Sequence, residues 1–217
     1  VWEALADPNI RVVAQIAPAV RVAVGDKFGI KKGENTLGRL VAGLRRIGFD
    51  QVYDTNFGAD LTVMEESKEL VERLESGENL PLFTSCCPAW VRYAEINHPE
   101  LLDNVSSCKS PMEMLGSVLK ERAKLNEKGK KPKKTKVVAI MPCTAKKYEI
   151  HRDDMTYGDE PTIAHSITTV ELANMIREAG LRFEEIMPEA VDMPFGIASG
   201  AGIIFGVTGG VTEAVIR

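Results

Sequence analysis

The alternation of apolar and polar positions divides this chain into short β-rich runs separated by helical patterns. Ile10-Arg11-Val12-Val13-Ala14-Gln15-Ile16 reads as a buried strand, ended by Ala17-Pro18-Ala19. A short helix-like segment through Val24 follows, then a Gly/Lys turn from Gly29 to Gly33. Leu37, Leu40, Val41 and Leu44 recur at helical spacing behind Thr36, which is placed to cap a helix ending near Gly48. Gln51-Val52-Tyr53-Asp54 predicts a second strand, and Asp60 to Leu74 a long helix. The apolar run Leu80 to Phe83 predicts a strand over 80–85, giving way to a helix over 88–97 that opens on Pro88. Proline suits a first helical turn, where its missing N–H would be unpaired anyway. Pro111 starts a helix to about Leu125, and Val137 to Ile140 is a further strand, ending in Met141-Pro142-Cys143. Ile167 to Ala179 is an amphipathic helix opened by Thr168 or Thr169. Met193 to Gly210 is Gly-rich and reads as loop, leading into a helical pattern that runs to Arg217.

Strands alternating with helices at intervals of roughly 10–20 residues predict an α/β fold with a mainly parallel sheet flanked by helices. In such sheets ligands bind outside the carboxyl ends of the strands. Ala17-Pro18, Cys86-Cys87 and Cys143 all fall at such ends. Cys86 and Cys87 also precede a helix, whose dipole favours thiolate, the form that binds metal or moves protons. From spacing alone, one metal shared by Cys87 and Cys143 and a pair of buried inert thiols remain open alternatives. None of His98, His151 and His165 lies at ligand spacing from a cysteine, which argues against a zinc site. Glu66, Glu69 and Arg73 share one helix face, either as a chain of exchangeable groups or as a solvated face with a Glu69–Arg73 ion pair.

Composition narrows the partners. A chain of 217 residues with 44% hydrophobic content buries a sizeable core, as one large domain or two lobes. A net charge of -4 gives no reason to expect nucleic acid or an anionic membrane as partner. The basic run Asn126 to Lys136 reads as a solvated surface connection. No apolar run approaches the roughly 20 residues a membrane span needs, and Val1-Trp2-Glu3 lacks the pattern of a signal peptide. Four cysteines at uneven spacing suit reduced thiols in a cytoplasmic or anaerobic setting better than a disulfide scaffold. Gly200-Ala201-Gly202 lacks the strand and acidic residue of a dinucleotide loop. Both ends are expected to lie inside helices, making the chain a fragment of a longer protein.

Thr84-Ser85-Cys86-Cys87-Pro88-Ala89-Trp90 and Met141-Pro142-Cys143-Thr144-Ala145-Lys146-Lys147-Tyr148-Glu149 resemble the first two signature motifs of the FeFe hydrogenase catalytic domain. The resemblance extends through Gln15 to Arg21 and Ser199 to Gly206, and so covers essentially the whole chain. It implies a two-lobed domain, the first lobe over roughly 8–135 and the truncated start of the second over roughly 136–217. It also implies an H-cluster, a 4Fe-4S cubane joined through a cysteine sulfur to a two-iron unit with CO, CN and a bridging dithiolate. On this resemblance Cys87 and Cys143 are cubane ligands and Cys86 is the proton donor. Lys146 binds a cyanide, Ala17, Pro18 and Met141 line the two-iron unit, and Phe205 with Gly206 forms the other wall. The proton relay maps onto Arg73, Glu69, Ser106, Glu66 and Cys86, with Ser107 adjoining Ser106.

The implied activity is reversible oxidation of dihydrogen to protons and electrons, with ferredoxin or another carrier, NAD-linked in some relatives, as electron partner. The implied compartment is the cytoplasm, or the periplasm for some relatives. Two departures stand out. The third motif, with the last two cysteines, does not occur, so the fragment is expected to be apo and inactive, and Cys108 does not replace it. Met112 stands where many relatives carry a polar glutamine. The alternatives are a hydrogen-sensing relative, a non-catalytic iron–sulfur assembly or carrier protein of the same superfamily, and a structural zinc or thiol module.

Overall fold

Helix α1 (Trp2–Ala6) leads into β1 (Ile10–Ile16), α2 (Val20–Ala23), α3 (Leu37–Ile47) and β2 (Gln51–Asp54). The long α4 (Asn56–Ser76) is followed by α5 (Pro88–Asn97), α6 (Pro111–Asn126) and β3 (Lys134–Met141). After α7 (Ala145–Glu149) come the hairpin strands β4 (Thr156–Tyr157) and β5 (Glu160–Pro161), then β6 (His165–Thr168) and α8 (Thr169–Glu178). Helices α9 (Gly200–Ile204) and α10 (Gly210–Ile216) close the chain. The computed structural model describes residues 1–126, 133–204 and 209–217.

Strands β1, β2, β3 and β6 form one wholly parallel sheet in the order β2-β1-β3-β6. The connection from β1 to β2 moves one way along the sheet, and the connection from β2 to β3 crosses back. Right-handed crossovers therefore place α3 and the α4–α6 segment on opposite faces. The packing agrees: α3 meets α8, while α4 meets α6 and α6 lies on β3. Both faces being covered explains why β1 and β3 read as near-continuous apolar runs, buried over 12–16 and 137–141. The order reverses between β1 and β3, so the crevice of this sheet opens where Ile16 and Met141 end.

The structure corrects several expectations. Residues 80–85 form no strand; only an isolated bridge joins Phe83 to Val105. Pro81 has no N–H to give a ladder, and the segment reaches no edge of the sheet. The cysteine pair therefore follows a loop. Strand β6 and the β4–β5 hairpin are additional, and the amphipathic helix starts at Thr169, with Thr168 forming a capping box with Glu171. Thr36 occupies the cap position of α3 but donates its hydroxyl to the Arg21 carbonyl, and the Asn35 side chain accepts from Leu37 N–H instead. Helix α9 lies inside the stretch expected to be loop, its turn fixed by the Asp60 carboxylate, which accepts from Ser199 N–H and Gly202 N–H at 2.6 and 2.8 Å. Strand β3 pairs with β1 from Ile10–Lys134 to Ile16–Ile140.

Gly58 sets how closely α4 approaches α6. A Cβ there would lie 2.1 Å from the Pro111 carbonyl oxygen and 3.0 Å from the Leu115 Cβ. Backbone cannot yield as a side-chain tip can, so Gly58→Ala is expected to lower stability by about 1–3 kcal/mol. Urea unfolding of the variant beside the parent chain checks this; an unchanged midpoint contradicts it.

Candidate active site

A cavity of about 190 Å³ opens at the carboxyl ends of β1, β2 and β3. Ala17 and Pro18 come from the end of β1, Thr55 and Asn56 from the turn after β2, and Met141, Pro142 and Cys143 from the end of β3. Cys86, Pro111, Met112 and Lys146 complete the wall. Ala17 is tied to β3 by its N–H to the Ile140 carbonyl. Gln15, wholly buried, holds three elements in register: its amide donates to the Met112 carbonyl at 2.9 Å and accepts from the Thr55 hydroxyl at 3.1 Å. Arg21 pairs with Asp54, whose other oxygen accepts from Asn56 N–H and so fixes the start of α4 at the cavity rim. The cavity is mostly apolar, with two thiols and one ammonium at its wall.

That ammonium is aimed. Lys146 Nζ donates to Glu149 Oε2 at 2.6 Å and to the Cys86 carbonyl at 3.0 Å. Glu149 is only 2% exposed, so the i,i+3 pair is a buried charge pair in which each partner needs the other. Of the expected site residues, Ala17, Pro18, Cys86, Met141, Cys143 and Lys146 meet at this cavity. Cys87 is exposed at the N-cap of α5 and outside the cavity lining. Phe205 and Gly206 lie outside the described residues. Met112 is buried and presents an apolar wall to the cavity.

The helix start was expected to favour thiolate at the cysteine pair. Burial instead pushes the Cys86 thiol above its ordinary value, the nearby Glu66 charge adding to the effect and Lys146 opposing it. Cys86 thus keeps its proton at neutral pH. Glu66 is fully buried, and neither of its oxygens has a hydrogen-bond partner. Burial raises its pKa, with the Glu69 charge adding; polar groups of Ser106 and Ser85 offset this only in part.

Glu69 behaves oppositely. Burial alone would raise its pKa, but donors from Ser106, Ser107 and Arg73 outweigh that and hold it below the usual carboxylate range. Ser106 Oγ donates at 2.7 Å, Ser107 N–H at 3.1 Å and Arg73 Nη2 at 2.6 Å. Arg73, Glu69 and Ser106 are therefore one connected chain, and Ser106 rather than Ser107 supplies the hydroxyl. Ser106 turns toward Glu69 rather than Glu66, so the link onward to Glu66 requires its hydroxyl to reorient. Cys108 lies beside this chain, its sulfur 3.7 Å from Glu69 Oε2, and burial pushes its thiol up to about 11.

One acid near the cavity escaped the sequence reading. Glu113, in the first turn of α6, is fully buried with both oxygens unpartnered. Burial, with the Glu149 charge adding and Lys109 and Lys146 opposing, pushes its pKa up to about 8. The folded chain holds a proton there that the unfolded chain gives up near the ordinary value of about 4.3. The contribution of Glu113 to stability therefore falls as pH rises from about 4.3 to about 8. Glu113→Gln, which keeps a neutral side chain of the same shape, is expected to remove that fall. Urea midpoints at pH 5 and pH 8 check this: the gap between them narrows in the variant, and an unchanged gap contradicts the assignment.

Sulfur donors are limited. Among the described residues no three His, Cys, Asp or Glu side chains converge as a metal site. Cys143 lines the cavity and Cys87 lies outside its lining; both are free thiols, and thiolates are the ligands iron–sulfur clusters take. An apolar cavity walled by thiols and one paired ammonium fits an iron group carrying small anionic ligands. It supplies only half of the four sulfurs that a cubane takes.

Residues 10–217 match the family described as iron only hydrogenase large subunit, C-terminal domain. Iron hydrogenase 1 of Clostridium pasteurianum is 45% identical over 217 residues, which are all of this chain and 38% of that protein. The solved structure of an apo [FeFe]-hydrogenase variant from Chlamydomonas reinhardtii superposes with a TM-score of 0.86 at 46% identity, covering 100% of this chain and 56% of that one. A cytosolic Fe-S cluster assembly factor of Xenopus tropicalis is 32% identical over 216 residues, 95% of this chain and 45% of that protein. The chain thus spans no more than 56% of the length of any of these three proteins. No helix among the described residues is long and apolar enough to cross a membrane.

Proposed function

The chain belongs to the iron only hydrogenase large-subunit family, and from that premise we propose that the protein it represents interconverts dihydrogen with protons and electrons at an H-cluster. One observation carries the reading. The cavity at the sheet's switch point gathers Cys86, Cys143 and a paired Lys146 ammonium against Ala17 and Pro18. When bound, the cluster supplies the iron at which hydrogen is made or split. Cys87 and Cys143 hold its cubane, Lys146 donates to an anionic ligand, and Ala17, Pro18 and Met141 exclude water from the two-iron unit.

The chain's own residues handle the proton. Proton affinity falls along the sequence Cys86, Glu66, Glu69: the first two are raised by burial, the third lowered by its donors. A proton therefore rests at the inner end on the Cys86 sulfur, and Glu66 takes one up more readily than Glu69, which stays anionic beside Arg73. Cys86 gives its proton to the site and regains one from Glu66. Ser106 turns its hydroxyl from Glu69 to Glu66 to refill the inner carboxyl, and Glu69, held by Arg73 at the outer end, collects the proton from solvent. Reversing the order carries protons outward during hydrogen oxidation.

Electrons come from ferredoxin or another soluble carrier, NAD-linked in the alternative case, and the compartment this reading implies is the cytoplasm, or the periplasm as for some relatives. The similarity to an assembly factor favours one second reading, a non-catalytic iron–sulfur carrier. Hydrogen evolution from reduced methyl viologen by the full-length, cluster-loaded protein separates the two, since a carrier gives none. The 217-residue chain alone, supplied with iron and sulfide anaerobically, is expected to keep far fewer than about four irons and to evolve no hydrogen above a metal-free control. Hydrogen from the chain alone would refute the two-sulfur limit.

A further inference from the structure

The stretch around the end of α6 and the start of β3 concentrates positive charge. Residues 120–136 carry nine of the chain's 27 lysines and arginines but only two of its 31 acids, a net +7 against -11 for the remainder. The described part of this run folds around a cleft of about 400 Å³ at the amino end of β3, lined by Lys120, Lys124, Lys133 and Lys134. Seven residue steps of β3, about 23 Å, separate this cleft from the cavity beyond Met141, so it is a different place.

Four observations point to an anionic ligand. Lys120 is only 9% exposed, so its ammonium is held in place by packing. Glu160 alone neutralises two of the amines, with Oε2 3.2 Å from Lys120 Nζ and Oε1 2.5 Å from Lys134 Nζ. Lys124 and Lys133 meet no acid among the described residues, which leaves uncompensated positive charge in a concave setting. Independently, Thr135, 7% exposed, lines the same cleft with its hydroxyl unpartnered. A buried hydroxyl without a partner carries a desolvation penalty that a ligand oxygen removes.

We propose that this cleft binds a phosphate-bearing anion with at least two phosphoryl groups, such as pyrophosphate or the phosphate chain of a nucleoside triphosphate. Lysine suits that ligand as a mobile point charge. Lys124 and Lys133 take one phosphoryl group, Lys120 and Lys134 the other, and Thr135 donates from the floor. Glu160 holds the same two amines in the free state and yields them as the ligand enters.

The test is calorimetric titration of the chain with sodium pyrophosphate at ionic strength fixed with KCl. Saturable one-to-one binding is expected. The double variant Lys120→Gln/Lys134→Gln weakens it about a hundredfold, because each ammonium–phosphate contact is worth roughly one decade of affinity. Glu160→Gln tightens it, since the internal competitor is gone. Should the double variant lose its circular dichroism, Lys124→Gln, at an exposed position, decides instead by a loss of several-fold. ATP displaces pyrophosphate and adenosine does not. Lack of saturation, or equal binding by the charge variants, overturns the proposal.

Discussion

Cys86→Ala in the full-length, cluster-loaded protein is expected to lower hydrogen evolution by about two to four orders of magnitude, the range a positioned acid–base group contributes. Iron content stays at the parent level, because the sulfur removed holds a proton and no metal. The argument rests on burial. Cys86 lines the cavity, its thiol is raised by desolvation and by Glu66, and no other thiol at the cavity wall is available to move a proton once Cys143 ligates iron. Measuring rate and iron content together is what gives the result meaning. Loss of both makes Cys86 a ligand, and retention of both removes it from proton transfer.

The second large effect is at Cys143. Cys143→Ala is expected to leave the full-length protein with little or no cubane iron, because Ala17, Pro18, Met112 and Met141 around it offer no thiolate and the Cys86 thiol keeps its proton. Cys108→Ala serves as the contrast. Its thiol lies against Glu69 with a pKa near 11, so it stays protonated and should leave iron content unchanged. Iron and sulfide analysis of the two variants separates the roles; equal iron in both contradicts the assignment of Cys143.

Much of the frame was legible from local pattern. β1, α3, β2, α6 and β3 follow from β-branched runs and helical spacing, because each is an element whose apolar face the sequence displays directly. The segment 80–85 misled because its composition is that of a strand, while Pro81 and the lack of a sheet edge forbid one. Strand β6 was hidden in front of a strong helical pattern: His165 and Ser166 look polar, and only pairing with Val138 and Ala139 makes them a strand. Helix α9 depends on Asp60, a residue 139 positions away from Ser199, so no local signal announces it.

The site divides in the same way. The i,i+4 pairing of Glu69 with Arg73 follows from spacing, as does that of Lys146 with Glu149 at i,i+3. The thiol pKa went the wrong way because the helix dipole is a local property and burial is not. Burial is the larger effect at Cys86. Glu113 was missed for the same reason: an acid in a first helical turn reads as a dipole partner, and nothing in the sequence says that tertiary packing buries it completely. Gln15 fell inside a quoted motif, but its part in tying β1 to Thr55 and Met112 is a tertiary fact.

The central claim is that the switch-point cavity is a hydrogen-converting site whose inner proton rests on Cys86. The most direct measurement is hydrogen evolution from reduced methyl viologen by the full-length protein, loaded with its cluster, as parent and as Cys86→Ala. The account predicts steady hydrogen production by the parent and a loss of about a hundredfold or more in the variant, with equal iron in both. A fully loaded parent that produces no hydrogen, or a variant that matches it, contradicts the account.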